Sequence, residues 1–584
     1  MAIVFFLARM IIDNPYRNQI PPLPEMNTIS GPLQEQISEA CKKARHNPTA
    51  NNLGFLGMVY HSGTFYEQAK QCYILAIKKN SSKWIWNYYL GYLNKEMGEN
   101  AAAIENFTKV VEKNPKSRLA WFYIGEGYQA MGSNDKAEGI FNKIISQGDV
   151  NDSPGNPARF DYFPLSTYAR FQLANIYLNT QRTDLAEKTL IDIIQNQKSF
   201  GQAYRLLGRV YSMKGDELLS KKYIARAGDL MIYTPPVDAF ADRLALISRS
   251  EIYVMKQIDD AEKGGYSSFG IELINNAMVN IPEDKFLISK AIKLYILMNL
   301  DKQALPYFDR HMQLFGDDIN EIKMVADMCM KKGLYSQAIK YYTRAAKLQP
   351  DNIDVKLSNI LCLGNAGMKK QALDSINELF EKNKQNLKVQ TDGVYVMLML
   401  GEKEKAASNL ADLKKLSPTN PKVQQLSGIL LQQDGKDQEA LVMYESSFNG
   451  NPEDLSTTRY LCDLLMKKKM WDKVINYYSK ALEYHPNEPY LLENLGTLLI
   501  MCPDLNMRNI NKGVEFAERA FINKASPTRT IISAGRSLAE GYSALGDKKN
   551  AVNCINIIIG LARRENAPKE FLIELERKLE EYKK

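Results

Sequence analysis

Histidine is nearly absent: His46, His61, His311 and His485 are the only four in 584 residues. No HExxH, CxxCH, P-loop or GxSxG spacing occurs. Metal and nucleophile chemistry needs ligands or partners clustered at short spacing, so the chain reads as a non-enzyme with no cofactor. His485 falls in a repeat-ending turn and His311 on a helix, both structural positions. Asp259–Asp260 beside Lys256 reads as a solvated helix face, and Asp351–Asp354 as a polar turn rather than a calcium loop. The seven cysteines (Cys41, Cys72, Cys329, Cys362, Cys462, Cys502, Cys554) show neither paired nor zinc spacing. Several lie on apolar helix faces, where a free thiol acts as a small hydrophobe. This suits a reducing compartment and is compatible with the periplasm. An excess of one charge is also missing. The 75 basic and 67 acidic residues leave +8 spread over the whole length. Nucleic-acid binders carry a focused basic stripe, so no nucleic acid is expected. The short run Lys467–Lys469 reads as a solvated turn.

Residues 1–12, MAIVFFLARMII, are apolar apart from Arg9. They are too few to span a bilayer, which takes about 20, and no basic leader precedes them. They read either as the tail of a signal or membrane anchor starting upstream, or as a short helix on the first repeat. The following NPYRNQIPPLPEM has four prolines and reads as an extended tether. That order favours an extracytoplasmic or membrane-anchored protein, with membrane association through residues 1–12.

What the chain has in quantity is periodicity. Ala338, Ala372, Ala406, Ala440 and Val474 stand 34 residues apart. Four residues after each comes a large side chain: Tyr342, Ile376, Leu410, Tyr444, Tyr478. Five residues before the first four sit Gly333, Gly367, Gly401 and Gly435. Twelve after come Pro350, Lys384, Pro418, Pro452 and Pro486. Each unit splits at its glycine into two patterns of helical period, such as Val423, Leu426, Ile429, Leu430 and then Ala440, Leu441, Tyr444. Glycine accepts the positive φ of a sharp helix–helix turn. The small residue marks the helix crossing, and proline stops the second helix. One such hairpin cannot bury its own apolar face and must stack on a neighbour.

A 34-residue helix–turn–helix period resembles the tetratricopeptide (TPR) repeat. The resemblance implies an all-α TPR superhelical solenoid of about fourteen helix-turn-helix repeats, covering residues 49 to 560. The expected divisions are an apolar start and proline-rich tether (1–24), a helical lead-in (25–48), repeats 1–3 (49–145), an insertion loop (146–165) and repeats 4–5 (166–228). An extended hairpin with a lengthened first helix follows (229–284), then repeats 7–12 (285–487), repeats 13–14 (488–564) and a capping helix (565–584).

The resemblance also implies that the first helix of each hairpin lines a concave groove for a partner protein or peptide. By register these positions are Met58, His61, Tyr88, Tyr92, Phe122, Glu126, Tyr168, Phe171, Asn175, Arg205 and Arg209. Aromatic and Arg side chains are common interface anchors. Packing between helices, or an N-terminal segment lying over them, is the competing account. The equivalent C-terminal positions are Lys323, Asp327, Leu357, Gln425, Arg459 and Asp463. Gly54 and Met58 stand where a carboxylate clamp would need polar groups. The segments FGQAYRLLGRVYSMKGD and ISRSEIYVMKQIDDAE are similar to long bacterial TPR proteins associated with c-type cytochrome domains. These readings imply an interaction scaffold first, and an accessory subunit of a membrane or envelope complex, possibly redox, second. A solenoid stacking RNA bases or sugars on the aromatic run ranks third.

Overall fold

A computed structural model describes residues 16–26, 29–148, 163–228, 230, 235–264, 266–282, 284–298, 300–523, 526–564 and 567–584. The apolar start and most of the 146–165 insertion lie outside these residues. Every regular element among the described residues is helical. The chain divides into two compact units between His311 and Met312.

In the N-terminal unit, α1 (Gly31–His46) precedes five hairpins. They are α2–α3 (Ala50–Ser62, Tyr66–Lys79), α4–α5 (Trp84–Glu96, Asn100–Lys113), α6–α7 (Arg118–Ala130, Asn134–Ser146), α8–α9 (Leu165–Asn179, Thr183–Asn196) and α10–α11 (Gly201–Met213, Glu217–Gly228). A short helix, α12 (Ala239–Ile247), intervenes before hairpins α13–α14 (Glu251–Lys263, Ser267–Asn280) and α15–α16 (Lys285–Leu297, Asp301–Phe315). The unit boundary falls inside α16.

The C-terminal unit holds seven hairpins. These are α17–α18 (Ile319–Lys331, Tyr335–Leu348), α19–α20 (Ile353–Asn365, Lys369–Lys382), α21–α22 (Leu387–Met399, Lys403–Leu416) and α23–α24 (Pro421–Gln433, Asp437–Gly450). Then follow α25–α26 (Leu455–Lys467, Trp471–Tyr484), α27–α28 (Pro489–Met501, Ile510–Ile522) and α29–α30 (Thr528–Ala544, Lys548–Arg564). The last helix, α31 (Lys569–Lys583), buries Leu575 and Tyr582 and is held to α29 by Arg536–Glu574 and Lys578–Glu540 ion pairs, each 2.6 Å.

The repeat period is visible as hydrogen bonding. The helix N-caps Asp284, Asp318, Asn352, Asn386, Asn420, Asp454 and Glu488 recur every 34 residues, each side chain accepting from a backbone N–H of its own first turn. A helix's first amides have no intrahelical partner, and these side chains supply one. The turn glycines Gly333, Gly367, Gly401 and Gly435 all have φ between 74° and 78°. At the fifth turn Lys469 takes the same conformation, φ 58°. The small and large positions of the register are all buried, from Ala338 and Tyr342 to Val474 and Tyr478. A methyl group at Gly428 would stand 2.5 Å from the Tyr444 ring, so this approach tolerates no side chain. All seven cysteines are free and buried; burial pushes the Cys362 thiol up to about 11.

Ala406 sits fully buried at the α21–α22 crossing. Ala406→Trp is expected to destabilise the C-terminal unit by about 1–3 kcal/mol through overpacking. A urea titration followed by circular dichroism checks this, and an unchanged midpoint would place the residue off the crossing.

The expected lengthened helix is broken in two. The chain leaves α12 at Ser248, whose backbone is extended (φ −70°, ψ 136°), and Ser250 caps α13 by accepting from Tyr253 N. Gln36 of α1 holds the break from outside. Its Nε2 donates to Ile247 O (2.5 Å), and its Oε1 accepts from Arg249 N (3.1 Å). A side chain 211 residues away therefore satisfies the amide and carbonyl that a continuous helix would have paired internally.

Candidate functional site

The first helices of hairpins one to three carry an unusual density of rings: Trp84, Trp86, Tyr88, Tyr89 and Tyr92 on α4, Phe122 and Tyr123 on α6. Pro235–Pro236 lead the chain back onto this face, where Asp238 caps α12. One carboxylate oxygen of Asp238, Oδ2, accepts from both Tyr88 OH and Tyr123 OH at 2.9 Å. The other, Oδ1, accepts from Phe240 N (2.9 Å) and Ala241 N (3.3 Å). The Phe240 ring packs 4.6 Å from Tyr88, 5.6 Å from Trp84 and 6.1 Å from Tyr89 between centroids. Burial pushes the Asp238 carboxyl above the usual carboxylate range, against the opposing pull of its four donors. Burial, and then the Asp238 charge, hold the Tyr88 and Tyr123 phenols well above their ordinary value, so both stay protonated and donate at neutral pH.

A second polar chain lies nearby. His61 is fully buried; its Nδ1 is 3.2 Å from Tyr73 OH and its Nε2 2.7 Å from Glu96 Oε2. Tyr73 is itself fully buried and Glu96 half-buried, so these contacts tie α2, α3 and α4 together. Glu126 accepts from Gln172 (3.1 Å) and pairs with Lys95 (3.5 Å); burial pushes its carboxyl up.

The sequence-predicted groove residues therefore separate. Met58, His61, Tyr88, Phe122 and Tyr168 are buried and pack inside the unit. Tyr92, Glu126, Phe171 and Asn175 are half-buried, and Asn175 donates to Phe171 O within its own helix (3.1 Å). Arg205 and Arg209 are exposed, Arg205 donating to Ala227 O (3.3 Å). At the start of the described residues, Tyr16 lies beside Lys78 and Lys79 at the end of α3. The cover is α12. Asp238, Phe240 and Tyr123 were outside the predicted set, although Pro-Pro followed by an Asp at a helix start is a visible capping signal.

In the C-terminal unit the equivalent positions are more open. Lys323, Arg459 and Asp463 are exposed. Asp327 is half-buried and accepts from Tyr342 OH; Leu357 and Gln425 are buried. Gln425 Nε2 donates to Asp454, Ser456 and Thr457 at 2.7–2.9 Å. Arg459 lies over the Tyr490 ring (4.6 Å) and Lys422 over Tyr395 (5.2 Å). Glu493 accepts from Ser533 Oγ (2.6 Å), and burial pushes its carboxyl up. Under α31 is a cavity of about 170 Å³ lined by Thr497, Ser533, Glu540, Glu574, Lys578 and Tyr582 among others.

Among the described residues, no group of three or more His, Cys, Asp or Glu side chains is placed to hold a metal ion, and no helix is long and apolar enough to cross a membrane.

Two family models described as tetratricopeptide repeat match, over residues 87–117 and 324–352. None of the curated proteins compared matches the sequence. Among solved structures, yeast Tom70 aligns over 91% of this chain and 95% of its own, at 15% identity and TM-score 0.36. MamA aligns over 30% and 93%, at 20% identity and TM-score 0.25. The APC/C hetero-tetramer Cut9-Hcn1 aligns over 86% and 99%, at 13% identity and TM-score 0.28. Likeness at these scores carries no argument about function. With a 34-residue period of capped helical hairpins, the described residues of both units have an all-α fold of helix-turn-helix repeats, and two stretches of the chain match the tetratricopeptide repeat itself.

Proposed function

We propose that this protein is a non-enzymatic scaffold that holds a partner protein or peptide on the faces lined by the first helices of its repeats. The observation that carries this reading is the exposed charged surface of α25 set beside half-buried aromatic rings. Arg459 and Asp463 are one helical turn apart and open to solvent, and Arg459 is stacked on Tyr490. Arginine on an aromatic ring is a typical interface anchor.

The test is covalent capture from native extract by the full chain, wild type beside Arg459→Ala/Asp463→Ala, with bound proteins identified by mass spectrometry. The expected result is at least a tenfold loss of a protein recovered by wild type, with an unchanged thermal melt. Equal recovery by both would remove this face as the binding surface.

A further inference from the structure

We propose that the face of α4 and α6 is a second peptide-binding site, whose ligand is a segment that begins a helix with an acidic cap and carries an aromatic ring two residues later. In this structure Asp238-Ala239-Phe240 of the same chain occupies it. The inference rests on the scaffold reading and adds a ligand chemistry to it.

The site recognises a carboxylate by geometry. Two phenol hydroxyls from consecutive repeats, Tyr88 and Tyr123, converge at 2.9 Å on a single oxygen of Asp238. The second oxygen is left to cap the helix that carries it. Any ligand meeting both demands must present a carboxylate at an N-cap. Asn would turn an NH₂ donor toward one of these donors, and Ala would leave both hydroxyls without an acceptor. The site recognises a ring by shape, because Trp84, Tyr88 and Tyr89 surround Phe240. The Asp238 carboxylate is met by four neutral donors, two of them phenols of the site.

The resident segment is short and bounded at both ends, with Gln36 tying its far end to α1 and its own Leu244 and Ala245 buried. Pro235–Pro236 precede it, the Ser248–Ser250 break ends it, and α12 itself runs only from Ala239 to Ile247. It also leaves part of the face unused. Tyr89 OH and Trp86 Nε1 are buried beside it with no hydrogen-bond partner among the described residues. Buried polar atoms without partners are costly, and a ligand with further polar groups would satisfy them. The same hydrogen bonds that hold α12 in place thus define what could replace it.

The probe is a fluorescent peptide with the sequence of residues 235–248, titrated by anisotropy against the full chain. The Asp238→Ala/Phe240→Ala chain, whose own segment can no longer compete, is expected to bind it at least tenfold more tightly than wild type. Adding Tyr88→Phe and Tyr123→Phe to that chain is expected to remove the gain, as is replacing the acidic residue of the peptide by alanine. Equal binding by the opened and wild-type chains, or equal binding of the peptide without its carboxylate, would overturn the proposal. If the opened chain does not fold, hydrogen exchange of the wild type decides. Excess peptide should raise exchange across α12 and lower it across α4, and unchanged exchange in α12 at saturating peptide would overturn the proposal. Failure here with capture through Arg459 and Asp463 intact sinks only this site, whereas failure of both removes the scaffold reading.

Discussion

Phe107→Ala is expected to destabilise the N-terminal unit by about 3–5 kcal/mol, the range for truncating a fully buried phenylalanine. The ring is 0% exposed. It lies 5.4 Å from Tyr88 and 5.1 Å from Tyr123, centroid to centroid, and fills the space over Gly91, where a Cβ would meet it at 3.2 Å. Removing it leaves a cavity beneath both tyrosines that hold Asp238, and helices pinned by their neighbouring hairpins can collapse into it only in part. The readout is built in. Trp84, Trp86 and Trp121 lie in the N-terminal unit and Trp471 in the C-terminal one. A urea titration should therefore show the tryptophan signal, three of whose four residues lie in the N-terminal unit, moving to lower denaturant further than the circular-dichroism signal, which sums the helices of both units. Solenoid stability is carried by nearest-neighbour interfaces, so loss of one interface is felt locally first. Coincident shifts of both signals would show one cooperative unit instead.

Asp238→Ala is expected to cost about 2–4 kcal/mol, confined to the docking of α12. Two contributions add. Loss of an N-cap costs about 1 kcal/mol. Tyr88 OH and Tyr123 OH lose their shared acceptor, at about 1–3 kcal/mol for buried groups left unpaired. Asp238→Asn should cost less, since an amide oxygen can still accept from one phenol or cap the helix. Hydrogen exchange is the measurement: the amides of α12 should lose protection in Asp238→Ala, while those of α5 and α7, which make no contact with the carboxylate, keep theirs. Equal protection of α12 in both variants would mean that Phe240 and the Gln36 contacts hold the helix without the carboxylate.

The amino-acid sequence by itself determined the repeat. Ala338 to Val474, the glycines before them and the large residues after them are local features with a fixed period. Helix start, turn, crossing and stop are each set within one 34-residue unit, so their order along the chain specifies the hairpins. The caps from Asp284 to Glu488 belong to the same local code and were legible at the same spacing, once read as caps rather than as polar turns. The face that each aromatic residue presents was not legible. Tyr88, Phe122 and Tyr168 occupy first-helix positions that register alone would turn toward a partner, yet they are buried. What buries Tyr88 comes from 150 residues away and has no period: Asp238, shared with Tyr123 115 residues distant. Likewise Gln36 closes the break after Ile247 across 211 residues. A phenol at the surface of a single hairpin has the same local sequence whether water, a partner or the chain's own carboxylate accepts its proton. Only the tertiary fold, by bringing an acidic cap within 2.9 Å of two hydroxyls, decided which.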